Sequence, residues 1–97
     1  MKTINLNFVP KTKVKVHGVD VEVPHIIDYN ASLFIGEIIS QRVSVADPSL
    51  EYRVAQALLT EGEVELTQEE FDYIKSIIVS LPLDNEMKGQ ILERFAE

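Results

Sequence analysis

Apolar and polar positions alternate along the first quarter of the chain. Ile4, Leu6 and Phe8 fall on one face of an extended backbone, and Thr3, Asn5 and Asn7 on the other. Pro10 interrupts the run. Val14 and Val16 then point one way while Lys13, Lys15 and His17 point the other. Val19, Val21 and Val23 resume the apolar side, with Asp20 and Glu22 outward. Three runs of period two predict three half-buried strands. If His17-Gly18 is a two-residue loop, Val16 pairs with Val19, Lys15 with Asp20, Val14 with Val21 and Lys13 with Glu22. Gly18 accepts the positive φ that such a turn requires. Every pair in this register is complementary, and each opposed charge pair contributes about 0.2–1 kcal/mol. At least two of the lysines are thus expected to be neutralised across the hairpin.

After Pro24 the period changes. In DYNASLFIGEIISQRV, Asn30 or Ser32 can cap a helix whose apolar residues Phe34, Ile35, Ile38 and Ile39 recur at three and four. Gly36 weakens that helix by about 1 kcal/mol relative to alanine unless another element packs closely against it. Asp47 is an N-cap with Pro48 at the first helical position. Leu50, Val54, Ala57 and Leu58 make the stripe of the second helix, which Gly62 ends. Residues 63–66, EVEL, read as a short extended linker. Thr67 and Glu70 form a capping box for a third helix carrying Phe71, Ile74, Ile77, Ile78 and Leu81, which stops before Pro82. Asp84 or Asn85 caps a last helix with Met87, Ile91, Leu92 and Phe95.

Strand signals and helix signals are segregated along the chain, which predicts an α+β fold rather than alternating βαβ units. Residues 1–97 form one domain. A three-stranded antiparallel meander over residues 3–24 is covered on its valine face by three or four short helices over residues 31–96.

Composition narrows the function. At 97 residues with 45% apolar content the chain can bury a core without staples. It has no cysteine, which removes disulfides, thiolate nucleophiles and cysteine-based zinc sites. No apolar stretch reaches membrane-spanning length and the N-terminus lacks a signal-peptide pattern, so a soluble, cytoplasmic protein is expected. The net charge of -7 disfavours nonspecific phosphate binding. Its distribution is polarised. Residues 1–19 hold Lys2, Lys11, Lys13 and Lys15 and no acid, whereas residues 61–72, EGEVELTQEEFD, hold six acids and no base.

Candidate chemistry is scarce. DNEMKGQILERF, residues 84–95, matches a calcium loop at positions one, six and eight. It places Lys88 at position five and Phe95 where a bidentate carboxylate is needed, so it reads as a capped helix. His17 and His25 are the only histidines, and neither has a second ligand at helical spacing. His25 with Asp28 is the one pair that an enzyme reading could use. The serines (Ser32, Ser40, Ser44, Ser49, Ser76 and Ser80) sit at caps or on helix faces without a nucleophile elbow. Four scattered glycines cannot cradle a phosphate. No catalytic residue, metal ligand or cofactor site is assigned, and an enzyme is not expected.

Lys11, Lys13 and Lys15 line one strand face, the arrangement a nucleic-acid reading requires. That face lacks the interleaved aromatics of a base-stacking sheet. A helix-turn-helix reading of residues 68–96 offers Lys88 and Arg94 against Glu86, Glu93 and Glu97, poor for entering a groove. Nucleic acid is therefore the alternative rather than the leading partner.

The segment DPSLEYRVAQALLTEGEVELTQEEFDYIKSIIVSLPLDNEMKGQILERF, from Asp47 to Phe95, carries four features in order. They are a DP-capped helix ending in Ala57-Leu58, a Gly-Glu-x-Glu-Leu link, a helix opening with acids, and a last helix with Lys88-Gly-Gln-Ile-Leu92. In this layout it resembles small accessory proteins of tailed phages and prophages. The resemblance implies a protein-binding role in the cytoplasm of a bacterial host, with no chemistry or functional residue to carry over. The leading expectation is a small noncatalytic module that binds another protein, as an accessory or inhibitory factor. Its expected contact surfaces are the acidic residues Glu61, Glu63, Glu65, Glu69, Glu70 and Asp72 and the lysine face of Lys11, Lys13 and Lys15. A self-assembling homo-oligomer, in which the basic N-terminal region of one copy meets the acidic belt of the next, is compatible with the same charges.

Overall fold

The computed structural model describes residues 2–24, 30–43 and 46–95. Their elements run β1 (Lys2–Asn5), β2 (Lys11–Val16), β3 (Val19–Pro24), α1 (Ala31–Gln41), α2 (Pro48–Thr60), β4 (Glu63–Leu66), α3 (Gln68–Ser80) and α4 (Asn85–Glu93). The chain is α+β, with N-terminal antiparallel strands followed by helices.

The helix starts follow local signals. Asp47 Oδ1 accepts from Leu50 N at 3.1 Å, with Pro48 in the first turn. Thr67 Oγ1 accepts from Glu70 N at 3.2 Å and Glu70 Oε1 accepts from Thr67 N at 2.9 Å, so both halves of the capping box form. Helix α3 stops at Ser80, ahead of Pro82. Asp84 caps α4 by accepting from Met87 N at 2.9 Å. Of the two candidate caps of α1, Asn30 takes the N-cap position, and Ser32 is buried within the first turn. Gly36 lies where α1 meets α2. A Cβ there would come within 2.9 Å of Leu59 Cγ and 3.3 Å of the Ala55 carbonyl oxygen, so the glycine permits the close approach of the two helices.

The sheet differs from the expected meander. The described strands form two separate two-stranded antiparallel sheets, β1 with β4 and β2 with β3. EVEL, expected as a linker, is strand β4: Glu65 lies opposite Thr3, Val64 opposite Ile4 and Glu63 opposite Asn5. The reason lies in the turn after β1. Asn5 Oδ1 accepts from Asn7 N at 2.9 Å. The Leu6 carbonyl accepts from Phe8 N at 2.8 Å and from Ser32 N at 3.0 Å. These bonds, with a proline at position 10, turn the chain out of the path that would bring β2 beside β1. Strand β4 takes that place, and Gly62 makes its approach possible. Gly62 has φ +77°, and a Cβ there would overlap Asn7 Oδ1.

Ile4, Leu6, Val64 and Leu66 supply the sheet side of the core, against Ile35, Leu58, Ile74, Ile78 and Ile91 from the helices. With that position filled, the helices do not cover the hairpin valines, contrary to expectation. Val14 is 39% exposed, Val16 47%, Val19 63% and Val21 39%. The β2–β3 hairpin is an arm, and the molecule measures 49 × 27 × 23 Å.

Candidate protein-interaction surface

The arm keeps its predicted register: Val16 pairs with Val19, Lys15 with Asp20, Val14 with Val21 and Lys13 with Glu22. His17 and Gly18 have φ 51° and 80°, the two positive values of a type I′ turn. Side chains alternate across a strand, so Val14, Val16, Val19 and Val21 form a two-by-two block on one face. Thr12 and Val23, on the same face nearer the base, are half-buried, so exposure rises toward the tip. The four exposed valines leave on the order of 300 Å² of apolar surface, the size of the largest patch on an ordinary monomer. Lys11, Lys15, Asp20 and Glu22 are all exposed, and they occupy the opposite, charged face.

The two edges of the arm are unequal to a flat strand edge. In an antiparallel pair, main-chain groups point inward and outward at alternate residues. At Lys11 they point outward and are taken by α4: Gln90 Oε1 accepts from Lys11 N at 2.9 Å, and Gln90 Nε2 donates to Lys11 O at 2.6 Å. Opposite Lys11 in the register is Pro24, which has no N–H to offer. Thr12 Oγ1 also donates to the Glu86 carboxylate, so the arm is fastened to α4 at its base. Beside this junction lies an open groove of about 730 Å³ lined by Phe8, Lys11, Glu22, Gln90, Glu93 and Arg94, among others. The Arg94 guanidinium stacks over the Phe8 ring at 4.3 Å. Lys88 Nζ donates to the Val79 carbonyl at 2.9 Å. Lys88 of α4 and Arg94 at its C-terminal cap are therefore both engaged within the chain.

The acidic residues fall into two groups. Glu61, Glu63 and Glu65 line an open groove of about 630 Å³ together with Thr3, Arg53 and Ala57. Glu63 accepts from Asn5 Nδ2 at 3.1 Å. Arg53 bridges this groove to α3, its Nη2 donating to Glu70 Oε2 at 2.9 Å. The Thr67 backbone N–H, and then Arg53, hold the Glu70 carboxyl below its usual value. Asp72 accepts from Gln68 Nε2 at 2.9 Å, and Glu69 is exposed. Glu70 is thus committed to its own fold, while Glu61, Glu63, Glu65, Glu69 and Asp72 remain at the surface.

One buried polar cluster escaped the sequence reading. Glu51, 3% exposed, accepts from Arg42 Nε at 2.5 Å and from Tyr73 Oη at 2.7 Å, joining α2 to α3 and to the end of α1. Its carboxylate has charged and hydroxyl donors, as a buried acid requires. In the sequence Glu51 is only one more acid in a helix first turn.

The stretch weighed as a calcium loop is the capped helix α4. No group of three or more metal-ligating side chains occurs among the described residues, and no helix among them is long and apolar enough to cross a membrane. His25, Asp28 and Ser44 lie outside the described residues. No protein-family model, no curated protein and no solved structure matches the chain.

Proposed function

We propose that the chain is a small noncatalytic protein-interaction module that presents its β2–β3 arm to another protein. The observation that carries this reading is the block of four exposed valines on one face of the arm. A sheet face of β-branched residues normally packs on a core, and leaving it in water forgoes the hydrophobic stabilisation it was patterned for. The acidic groove around Glu61, Glu63 and Glu65 is a second, electrostatic contact surface within the same reading, attracted to basic partners and weakened by salt. The layout of residues 47–95, which resembles phage accessory proteins, supports reading this role as that of an accessory or inhibitory factor in a bacterial host cell. Nucleic acid fits less well. The lysine face carries Asp20 and Glu22 beside its lysines, and a net charge of -7 opposes a polyanion.

The test is capture from a nuclease-treated bacterial lysate with three baits: the native chain, Val16→Ser/Val19→Ser, and Glu63→Lys/Glu65→Lys/Glu69→Lys. One stoichiometric protein held by the native chain and lost with the valine variant is the expected result. Loss with the acidic variant alone would move the contact to the groove. Equal capture by all three baits would refute both surfaces.

A further inference from the structure

We infer that the occupant of the valine face is a second copy of this chain, the two arms stacking valine face on valine face about a two-fold axis. This rests on the interaction-module reading above and names its partner. Three observations lead to it.

The first is the obstruction of strand addition at the base of the arm. A peptide joining the arm edge-on would meet Gln90 already bonded to both main-chain groups of Lys11 on the β2 side. On the β3 side it would meet Pro24, without an N–H, and the side chains of Asp20 and Glu22. Two copies joining edge to edge about a two-fold axis would set lysines against lysines or acids against acids. The valine face carries no such obstacle at Val14, Val16, Val19 and Val21.

The second is charge. Residues 11–24 hold three lysines and two acids, +1, so the remaining six bases and fourteen acids give the rest of the chain -8. Two copies therefore repel body to body, and the near-neutral arm is where they approach at least cost. A basic partner would be drawn to the body and a polyanion to the lysine face. The uncharged valine block offers attraction to neither.

The third is shape and size. Sheets pack face to face at about 10 Å with interdigitating side chains, and a two-stranded hairpin is marginal until it gains such a neighbour. A two-by-two valine block is its own complement, the condition for an isologous contact that closes at two copies. Its area, on the order of 300 Å² per copy, is well below the roughly 800 Å² per partner of a standard stable interface. The expected dimer is accordingly weak and concentration-dependent.

Sedimentation equilibrium of the native chain, from micromolar to millimolar concentration, tests this. The mass should rise toward twice the monomer's, and added salt should strengthen association by screening the two acidic bodies. Val16→Lys/Val19→Lys should hold the chain monomeric over the whole range while leaving its circular dichroism unchanged. Because the chain has no cysteine, single substitutions give a second readout that does not depend on affinity. At least one of Val14→Cys, Val16→Cys, Val19→Cys and Val21→Cys should oxidise to a disulfide dimer more than tenfold faster than Lys15→Cys or Asp20→Cys on the opposite face. A native chain that stays monomeric to millimolar concentration overturns the inference. So does a dimer that weakens with salt, as an arm-on-acidic-belt contact would, or a cross-linking rate equal on both faces. The wider reading is judged separately. A monomeric chain whose valine variant loses a captured protein would sink the self-pairing and keep the module. A dimer that captures nothing else would keep the self-pairing and remove the separate partner protein from the wider reading.

Discussion

Gln90 acts on Lys11 as a strand would: its side-chain amide satisfies both outward main-chain groups of that residue, at 2.9 and 2.6 Å. A helix thereby fastens the edge of a hairpin and sets the root of the arm. Gln90→Ala removes both bonds, and at about 0.5–1.5 kcal/mol net for each, the arm should open locally by roughly 1–3 kcal/mol. Hydrogen exchange at the Lys11 amide should accelerate accordingly, with little change in the helical core. Gln90→Glu keeps the acceptor, loses the donor and should not restore protection fully. Unchanged exchange in Gln90→Ala would show that other contacts root the arm.

Gly62 and Asn7 interlock. The glycine sits at φ +77°, and an added Cβ would overlap the Asn7 side-chain oxygen, whose amide group donates to the Glu61 carbonyl at 3.1 Å. Gly62→Ala should cost about 1–2 kcal/mol from the backbone conformation alone, plus the displacement of Asn7. The same substitution in an Asn7→Ala background should cost at least about 0.5 kcal/mol less, the smallest coupling expected for residues in contact. Chemical denaturation of the four chains gives the coupling directly, and a value of zero would contradict the overlap.

Tyr73 donates to a carboxylate that is almost wholly buried. Tyr73→Phe leaves the volume unchanged and removes one charge-assisted hydrogen bond from Glu51, for a loss of about 1.5–3 kcal/mol. Denaturant midpoints measure it. A loss under about 0.5 kcal/mol, the low end for any intramolecular hydrogen bond, would mean that Arg42 and the other contacts of Glu51 suffice.

Glu70 sets an acid dependence. Its carboxyl is held below the ordinary value by the Thr67 backbone N–H, and further by Arg53. A depressed folded value means that the unfolded chain binds this proton more readily. The contribution is therefore fully present above the unfolded value, about 4.3 for glutamate, and is lost as the pH falls through the folded one. Thermal melting of native chain and Glu70→Gln should differ most at neutral pH and converge in acid. A gap that stays constant down to the acid limit would show that the charge on Glu70 has no part in the cap.

The reach of the sequence followed the range of the interactions. The capping box at Thr67 and Glu70, the Asp47-Pro48 start and the stop before Pro82 were legible because each depends on residues within four positions of one another. The arm's register was legible for the same reason, since the His17-Gly18 turn brings each pair together. Among the expected contact residues, the acids were placed at the surface as a solvated run should be, but nothing local foretold that Glu70 would be tied to Arg53.

What the sequence by itself determined, then, is that one face of the hairpin is apolar, where the helices begin and end, and that the class is α+β. The tertiary structure decided what covers that face. Alternating valines specify a face for burial and say nothing of the neighbour. The place beside the helices went to Val64 and Leu66 of a four-residue strand, because the turn at Asn5, Leu6 and Phe8 carries β2 away from β1. Pairing between distant segments is a competition for one core. Only the assembled chain shows that EVEL won it and that the valines of the arm were left in water.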